Sequence, residues 1–363
     1  MEFALTEEQV MLQDTIGRTL ERVCPLERVR KAASDHETHA ADVWTALVEL
    51  GVAGLIIPEE HGGAGLTLLD AALAAEALGA AVAPVPFVAS AVMAPLALMG
   101  SATQAQQARW LPRLAAGETI AAVAVSEAAA GARDGAGVVA KAGKLNGKAL
   151  FVLDAGGADI VIVADTAGGL HLAHADAGGV TRTALTSIDA TRSLGEIAFA
   201  DTPAEPLDAR DPTATSRRMI DAGRVILAAD ILGAGQRMIE KAVTYASERT
   251  QFGRVIGSFQ AVKHLCAEMA AELEPCRSLV WYAAYAAAED PERASLMAAH
   301  AKAHTSEVGT FVARTATEVH GGMGFTDLVG LHYWFKRIGF DRQMLGGPER
   351  ARHDAAVFQG WAS

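Results

Sequence analysis

The chain has 363 residues, 51% of them hydrophobic, and sets 31 basic side chains against 43 acidic ones for a formal net charge of −12. That length and apolar content suffice for two or three units with a sizeable core, and the acidic balance excludes a broad nucleic-acid footprint while leaving room for local basic pockets that hold phosphates. Three widely spaced cysteines make neither a disulfide framework nor a thiolate metal site, no run nears the roughly 20 apolar residues of a membrane span, and the opening MEFALTEEQ lacks a secretory pattern, so a cytoplasmic protein with no membrane span is expected.

The first segment reads as three or four helices to about position 118. Thr6 with Gln9 opens it as a capping box, and Thr67 is an N-cap candidate after the turn Pro58-Glu59-Glu60-His61-Gly62-Gly63. From about Thr119 the pattern changes to short apolar runs, Ile120 to Val125, Ala149 to Leu153, Ile160 to Val163 and Ile197 to Phe199, bounded by turn residues. These are expected strands, and without crossover helices between them a small barrel or sandwich is favoured over a parallel sheet. Asp201 to Thr215 reads as an exit linker. Three long helices follow, about Ser216 to Arg249, Phe259 to Ala288 and Pro291 to His320, with one shorter helix to end the chain.

Two glycine-bearing segments carry the chemistry. In Glu248-Arg249-Thr250-Gln251-Phe252-Gly253, followed by Phe259 and Gln260, an arginine beside a turn glycine has the fork to grip a pyrophosphate, while Gln251, Gln260 and Phe252 suit an adenosine. In Glu318-Val319-His320-Gly321-Gly322-Met323-Gly324 the glycines let backbone amides approach a phosphate. Each segment alone is equally an ordinary helix stop.

In this order, with the early Pro58 to Leu66 turn, the Ser126-Glu127 pair and the closing Leu345-Gly346-Gly347-Pro348, the chain resembles the acyl-CoA dehydrogenase family over nearly its whole length. The resemblance implies a mainly α fold with a central β-barrel: an N-terminal helical domain (1–118), a middle barrel (119–208) and a C-terminal four-helix bundle (209–363). It implies FAD between barrel and bundle, with Arg249, Gln251, Phe252, Gln260, Glu318, Gly321 and Gly322 on the adenosine and pyrophosphate side and Ser126 near the flavin. Glu318 departs from the family's usual glutamine, and a carboxylate beside a pyrophosphate must turn to a ribose hydroxyl or an arginine.

The family removes an α-proton from an acyl thioester with a glutamate while a hydride passes to the flavin, and that chemistry needs a base. Its two usual positions fall here on Gly346 and Gly223, so no catalytic residue is assigned. Asp221, Asp230, Asp341 and Glu349 are the carboxylates nearby in sequence, each more readily a salt-bridge partner than a base. A serine that normally meets the pyrophosphate is lost at Ala132, and a flavin-facing hydroxyl is lost at Leu153. The segment Gly324 to Arg337 is similar to short chains that pair with a longer, catalytic acyl-CoA dehydrogenase subunit in heterotetramers, several of them in steroid or bile-acid side-chain degradation. The resemblance thus implies a base-lacking subunit of a homo- or hetero-tetramer acting on an acyl-CoA, with electron-transfer flavoprotein as acceptor. A homotetramer with a relocated base and a non-catalytic scaffold are the alternatives.

Overall fold

The computed structural model describes residues 4–362. Six helices form the first unit: α1 (Glu7–Val23), α2 (Leu26–Ser34), α3 (Ala41–Glu49), α4 (Leu68–Ala81), α5 (Ala94–Ser101) and α6 (Gln104–Ala115). The count exceeds the three or four expected because α2, α3 and α5 are only two to three turns long, too short for a clear apolar period. The capping box forms as read: Gln9 N–H donates to Thr6 Oγ1 at 3.2 Å, and Thr6 N–H to Gln9 Oε1 at 3.1 Å. At α4 Asp70 closes the cap, accepting from the N–H and the hydroxyl of Thr67 at 2.9 and 2.7 Å.

A curled, open sheet follows, and the expected closed barrel is corrected here. Its strands are β1 (Ala121–Ala124), β2 (Gly137–Lys141), β3 (Lys144–Leu153), β4 (Ile160–Ala164), β5 (Leu170–His174), β6 (Val180–Ala184), β7 (Leu194–Pro203) and β8 (Glu205–Pro206), with a short helix α7 (Ser126–Ala130) after β1. They run in the order β6-β7-β3-β1-β4-β5-β8, and β2 pairs with the outer part of β3. Edge strands β6 and β8 do not meet, so the sheet stays a half-barrel. The sheet is antiparallel except at one place: β1 and β4 are parallel, Ala121 opposite Ile160, because the α7 and β2–β3 excursion is long enough to serve as the crossover. Ala122, Val161, Ala149, Val152 and Ile197 fill the concave face as a small core of their own.

The last unit is built on α8 (Pro212–Glu248), α9 (Gln260–Glu289) and α10 (Pro291–His320). Asp211 caps α8, accepting from the N–H groups of Thr213 and Ala214, and Pro212 sits at N1, so the helix starts earlier than expected and takes the last four residues of the supposed linker, whose first part is the end of β7 and β8. Two helices rather than one close the chain, α11 (Leu331–Gln343) and α12 (Pro348–Phe358), separated at Leu345 and Gly346, which have φ of 56° and 90°. The main core joins the first unit to α8 without a break, through Leu78 of α4 and buried alanines on both helices.

Candidate functional site

The adenosine-side residues gather at one end of the bundle. Tyr245, in the last turn of α8, stacks on His320, the last residue of α10, with ring centroids 4.7 Å apart, so these two helices finish side by side. Beyond α8 the chain makes a tight hairpin of β9 (Thr250–Gln251) and β10 (Arg254–Val255) whose two-residue loop is Phe252-Gly253. Both loop residues have positive φ, 52° and 76°, as a type I′ turn requires. Glycine adopts that conformation freely; a phenylalanine held there costs about 1 kcal/mol.

Phe252 is nevertheless 90% exposed, meeting Phe259 only edge-on at 6.2 Å between centroids. Arg249, Gln251, Gln260, Glu318, Gly321 and Gly322 are exposed as well. Gly321 ends α10 at a φ of 57°, which explains a glycine there, but Gly322 has no such φ, and an added Cβ would meet nothing within 4 Å. Nothing inside this chain requires Gly322 to be a glycine, as expected where a ligand or another chain comes close to the backbone. Exposed glycine backbone, a forked cation and an aromatic face thus share one end of the bundle, groups of the kind that suit the adenosine and pyrophosphate of FAD.

The flavin side does not fit. Ser126, in α7, is buried and donates its hydroxyl to the carbonyl of Phe151 at 3.2 Å, and Leu153 is buried in the main core. Arg133 lies over the Phe151 ring at 4.8 Å, next to the position of the lost serine. The two positions of the absent base are closed too. A Cβ on Gly223 would lie 2.5 Å from Leu345 Cδ1 and 2.8 Å from Met93 Sδ, so close packing accounts for that mid-helix glycine. At Gly346 a Cβ would crowd Ala129 O and Arg224 Nη2, both at 3.2 Å, on a left-handed backbone.

None of the four nearby carboxylates stands free as a base. Asp230 binds Arg192 Nη2 at 2.5 Å and Arg337 Nη1 at 3.3 Å. Glu349 is on the surface beside Arg342. Asp221 accepts from Ser295 Oγ at 2.6 Å, and burial pushes its carboxyl above the usual range. Asp341 is fully buried with neither oxygen hydrogen-bonded, and burial together with the charge of Asp230 holds it well above the ordinary carboxylate value. Three of the four are therefore interior, where a sequence reading treats acids as surface groups.

Sequence reasoning missed a set of buried charged residues that join the sheet to the helices. Arg337 of α11 is fully buried, donating to Asp189 Oδ2 at 2.8 Å, to Thr191 Oγ1 at 2.5 Å and to Asp230, and so ties the β6–β7 loop and α8 to the closing helices. Asp154 directly follows Leu153; burial raises its carboxyl to about 7 against the pull of Arg192 and Arg337. Lys302 of α10, also fully buried, donates to the carbonyls of Asp341 and Arg342. Arg224 seals the next layer, donating to Leu345 O at 2.9 Å, Ala129 O at 3.2 Å and Asp354 at 2.7 Å. Outside that seal a cavity of about 300 Å³ opens between sheet and bundle, with Arg217, Arg350 and His353 on its wall. The run Asp189-Ala190-Thr191-Arg192 was the one available signal, a compact acid, hydroxyl and arginine in a predicted loop.

The flavin-side position and the adenosine-side hairpin lie far apart. Gly223 and Glu248 share one continuous helix, and at about 1.5 Å per residue their separation is roughly 38 Å.

Comparison with known proteins agrees with this architecture. The model of the acyl-CoA dehydrogenase N-terminal domain matches residues 6–118, and that of the C-terminal domain matches residues 213–356. The chain is 31% identical to the acyl-CoA dehydrogenase IpdE2 of Mycobacterium tuberculosis (strain ATCC 25618 / H37Rv) over 94% of both chains. It is also 31% identical to IpdE2 of Mycolicibacterium smegmatis (strain ATCC 700084 / mc(2)155), over 98% of this chain and all of that one. Among solved structures it is similar to the ChsE4-ChsE5 complex from Mycobacterium tuberculosis, with a TM-score of 0.91 and 26% identity over the full length of both chains. A steroid acyl-CoA dehydrogenase variant, Tcur3481-Tcur3483, gives 0.88 and 28% over 98% of each. The chain belongs to the acyl-CoA dehydrogenase family, whose cofactor is FAD.

Proposed function

We propose that this chain is the base-lacking subunit of a heteromeric acyl-CoA dehydrogenase, in which it completes the adenosine end of FAD sites whose base and flavin pocket come from a longer partner. The observation that carries the proposal is the contrast between its two ends: Gly223 is packed shut by Leu345 and Met93, whereas Arg249, Gln251, Phe252, Gln260, Glu318, Gly321 and Gly322 are presented outward. When bound, FAD supplies the hydride acceptor for α,β-dehydrogenation of an acyl-CoA. This chain's part is to bind: Arg249 grips the pyrophosphate, Phe252 packs on the adenine, Gln251 and Gln260 hydrogen-bond the adenosine, and the amides around Gly321 and Gly322 complete the cradle. Glu318 turns to a ribose hydroxyl. Ser126 stays with Phe151 and contributes nothing to the flavin. The similarity to ChsE4-ChsE5 and Tcur3481-Tcur3483 supports both a tetramer of two chain types and a steroid-like acyl group. Electron-transfer flavoprotein is the proposed acceptor.

The test is reconstitution. The chain is purified alone and after co-expression with a longer acyl-CoA dehydrogenase subunit that keeps its glutamate, and flavin absorbance is recorded before and after adding acyl-CoA. The lone chain should hold no FAD and bleach none, and the complex should hold FAD and bleach. Bleaching by the lone chain would overturn the assignment in favour of a relocated base. A complex in which Arg249→Ala leaves FAD retention unchanged would remove the binding role.

A further inference from the structure

Helix α8 sends two consecutive arginines to different places. Arg217 lies over the Phe358 ring at 5.2 Å, on the wall of the cavity between sheet and bundle. Arg218 stands on the wall of a second cavity, of about 350 Å³, where the start of α8, the end of α9 and the start of α10 meet α5 and the loop before α4. At 3.6 residues per turn, Arg218, Ala222 and Val225 put this cavity on the other face of α8 from the contact of Gly223 with Leu345 and Met93. Its floor is apolar: Ile56, Leu68, Val225 and Ala283 are all buried. Its mouth is open, with Leu66 41% exposed and Ala287 on the last turn of α9 facing solvent. The polar groups of the wall are few and mostly engaged. The Thr67 hydroxyl donates to Asp70 at 2.7 Å and that of Ser295 to Asp221 at 2.6 Å, while Arg224 stands 4.0 Å from Asp221 as its counter-charge. Arg218 is the exception. It is exposed at the mouth, and among the described residues its guanidinium meets no carboxylate and no hydrogen-bond acceptor.

A ligand-sized apolar concavity with a few convergent polar groups is the usual form of a small-molecule site. Here the one uncommitted polar group is a cation at the rim, and its complement is an amphipathic anion. A guanidinium takes a carboxylate through two parallel hydrogen bonds, which leaves an apolar tail to enter the cavity behind it. At roughly 30 Å³ for each non-hydrogen atom, the share of a water molecule in the liquid, the volume admits about twelve such atoms. We propose that this cavity binds a medium-chain carboxylate, with its head on Arg218 and its alkyl chain against Ile56, Val225 and Ala283. The site is separate from the adenosine end and does not depend on the subunit assignment, because its walls all come from this chain.

The full chain is titrated by calorimetry with decanoate and, in parallel, with decylammonium and 1-decanol, all below their micellar range. Decanoate should bind saturably with one site per chain, at least tenfold more tightly than either of the others. Arg218→Gln, a change at an exposed position, should weaken decanoate about tenfold, the worth of one hydrogen bond between charged groups, and leave 1-decanol unchanged. Ala287→Trp, on the exposed mouth, should abolish decanoate binding. Should Ala287→Trp fail to fold, Ala294→Phe on the other wall reads the same mouth. The absence of saturable decanoate binding, equal affinity for decylammonium or 1-decanol, binding unaffected by the mouth-filling variant, or an Arg218→Gln protein that binds decanoate as the parent does would each overturn the proposal.

Discussion

Substituting Asp154→Asn tests whether the interior behind Leu153 holds an uncompensated acid. Asp154 is fully buried, its carboxyl raised from 3.8 to about 7 by burial despite the two arginines. In the folded chain it keeps its proton up to near neutral pH, whereas in the unfolded chain it ionises near 4. Between those values the folded state binds more protons, so stability falls as pH rises from about 4 to about 7 and levels off above. Three units at about 1.4 kcal/mol each set an upper bound of about 4 kcal/mol on the loss. The asparagine keeps the shape and cannot ionise, so Asp154→Asn should match the parent near pH 4 and exceed it by up to about 4 kcal/mol at pH 8. Urea unfolding of both proteins at half-unit pH steps measures the difference. A difference that is flat with pH, or one that grows towards acid, would show that Asp154 is ionised in the folded state and that the reasoning about this interior is wrong.

Other consequences can be checked with the same protein. Arg337→Met should cost about 3–5 kcal/mol in urea unfolding, because Asp189 and Asp230 would each lose a buried cation. Gly346→Glu should destabilise the lone chain by about 2 kcal/mol through its left-handed backbone and the crowding at Ala129, and should not produce bleaching with acyl-CoA. Phe252→Gly should raise stability by about 1 kcal/mol by relieving its positive φ, yet lower FAD retention in the reconstituted complex. Lys302, lowered to about 7 by burial, should make stability rise between pH 7 and about 10 as it turns neutral in the folded state while still charged in the unfolded one; Lys302→Met should remove that rise.

The long bundle helices were legible because their ends carry chemistry that sequence displays: Pro291 starts α10 and Gly321 stops it, as expected. The residues assigned by resemblance to the adenosine side fall at helix ends beside glycines, where sequence displays its punctuation. Strands β2, β5, β6 and β8 were not seen; Val180 to Ala184 is a half-polar edge strand with little apolar alternation to betray it. The division between α11 and α12 was missed although Pro348 at N1 announced it. The buried network could not be read from sequence. Asp189, Arg192, Asp230 and Arg337 each look like a surface charge, and only the folding of the β6–β7 loop, α8 and α11 against one another removes them from water together. Gly223 shows another case: its neighbours Leu345 and Met93 come from elements far along the chain, which no local pattern displays.

Helix α8 is a rigid rod with a different occupation at each tip. A substitution near Gly223 changes nothing at Arg249, because no side chain reaches along the roughly 38 Å of helix between them. In an enzyme made of identical subunits both tips must stay intact, since every chain serves one cofactor with each. Once two kinds of chain share the assembly, that constraint lifts. Under the proposed division of labour, the glycines at Gly223 and Gly346 therefore leave the surface at Arg249 untouched.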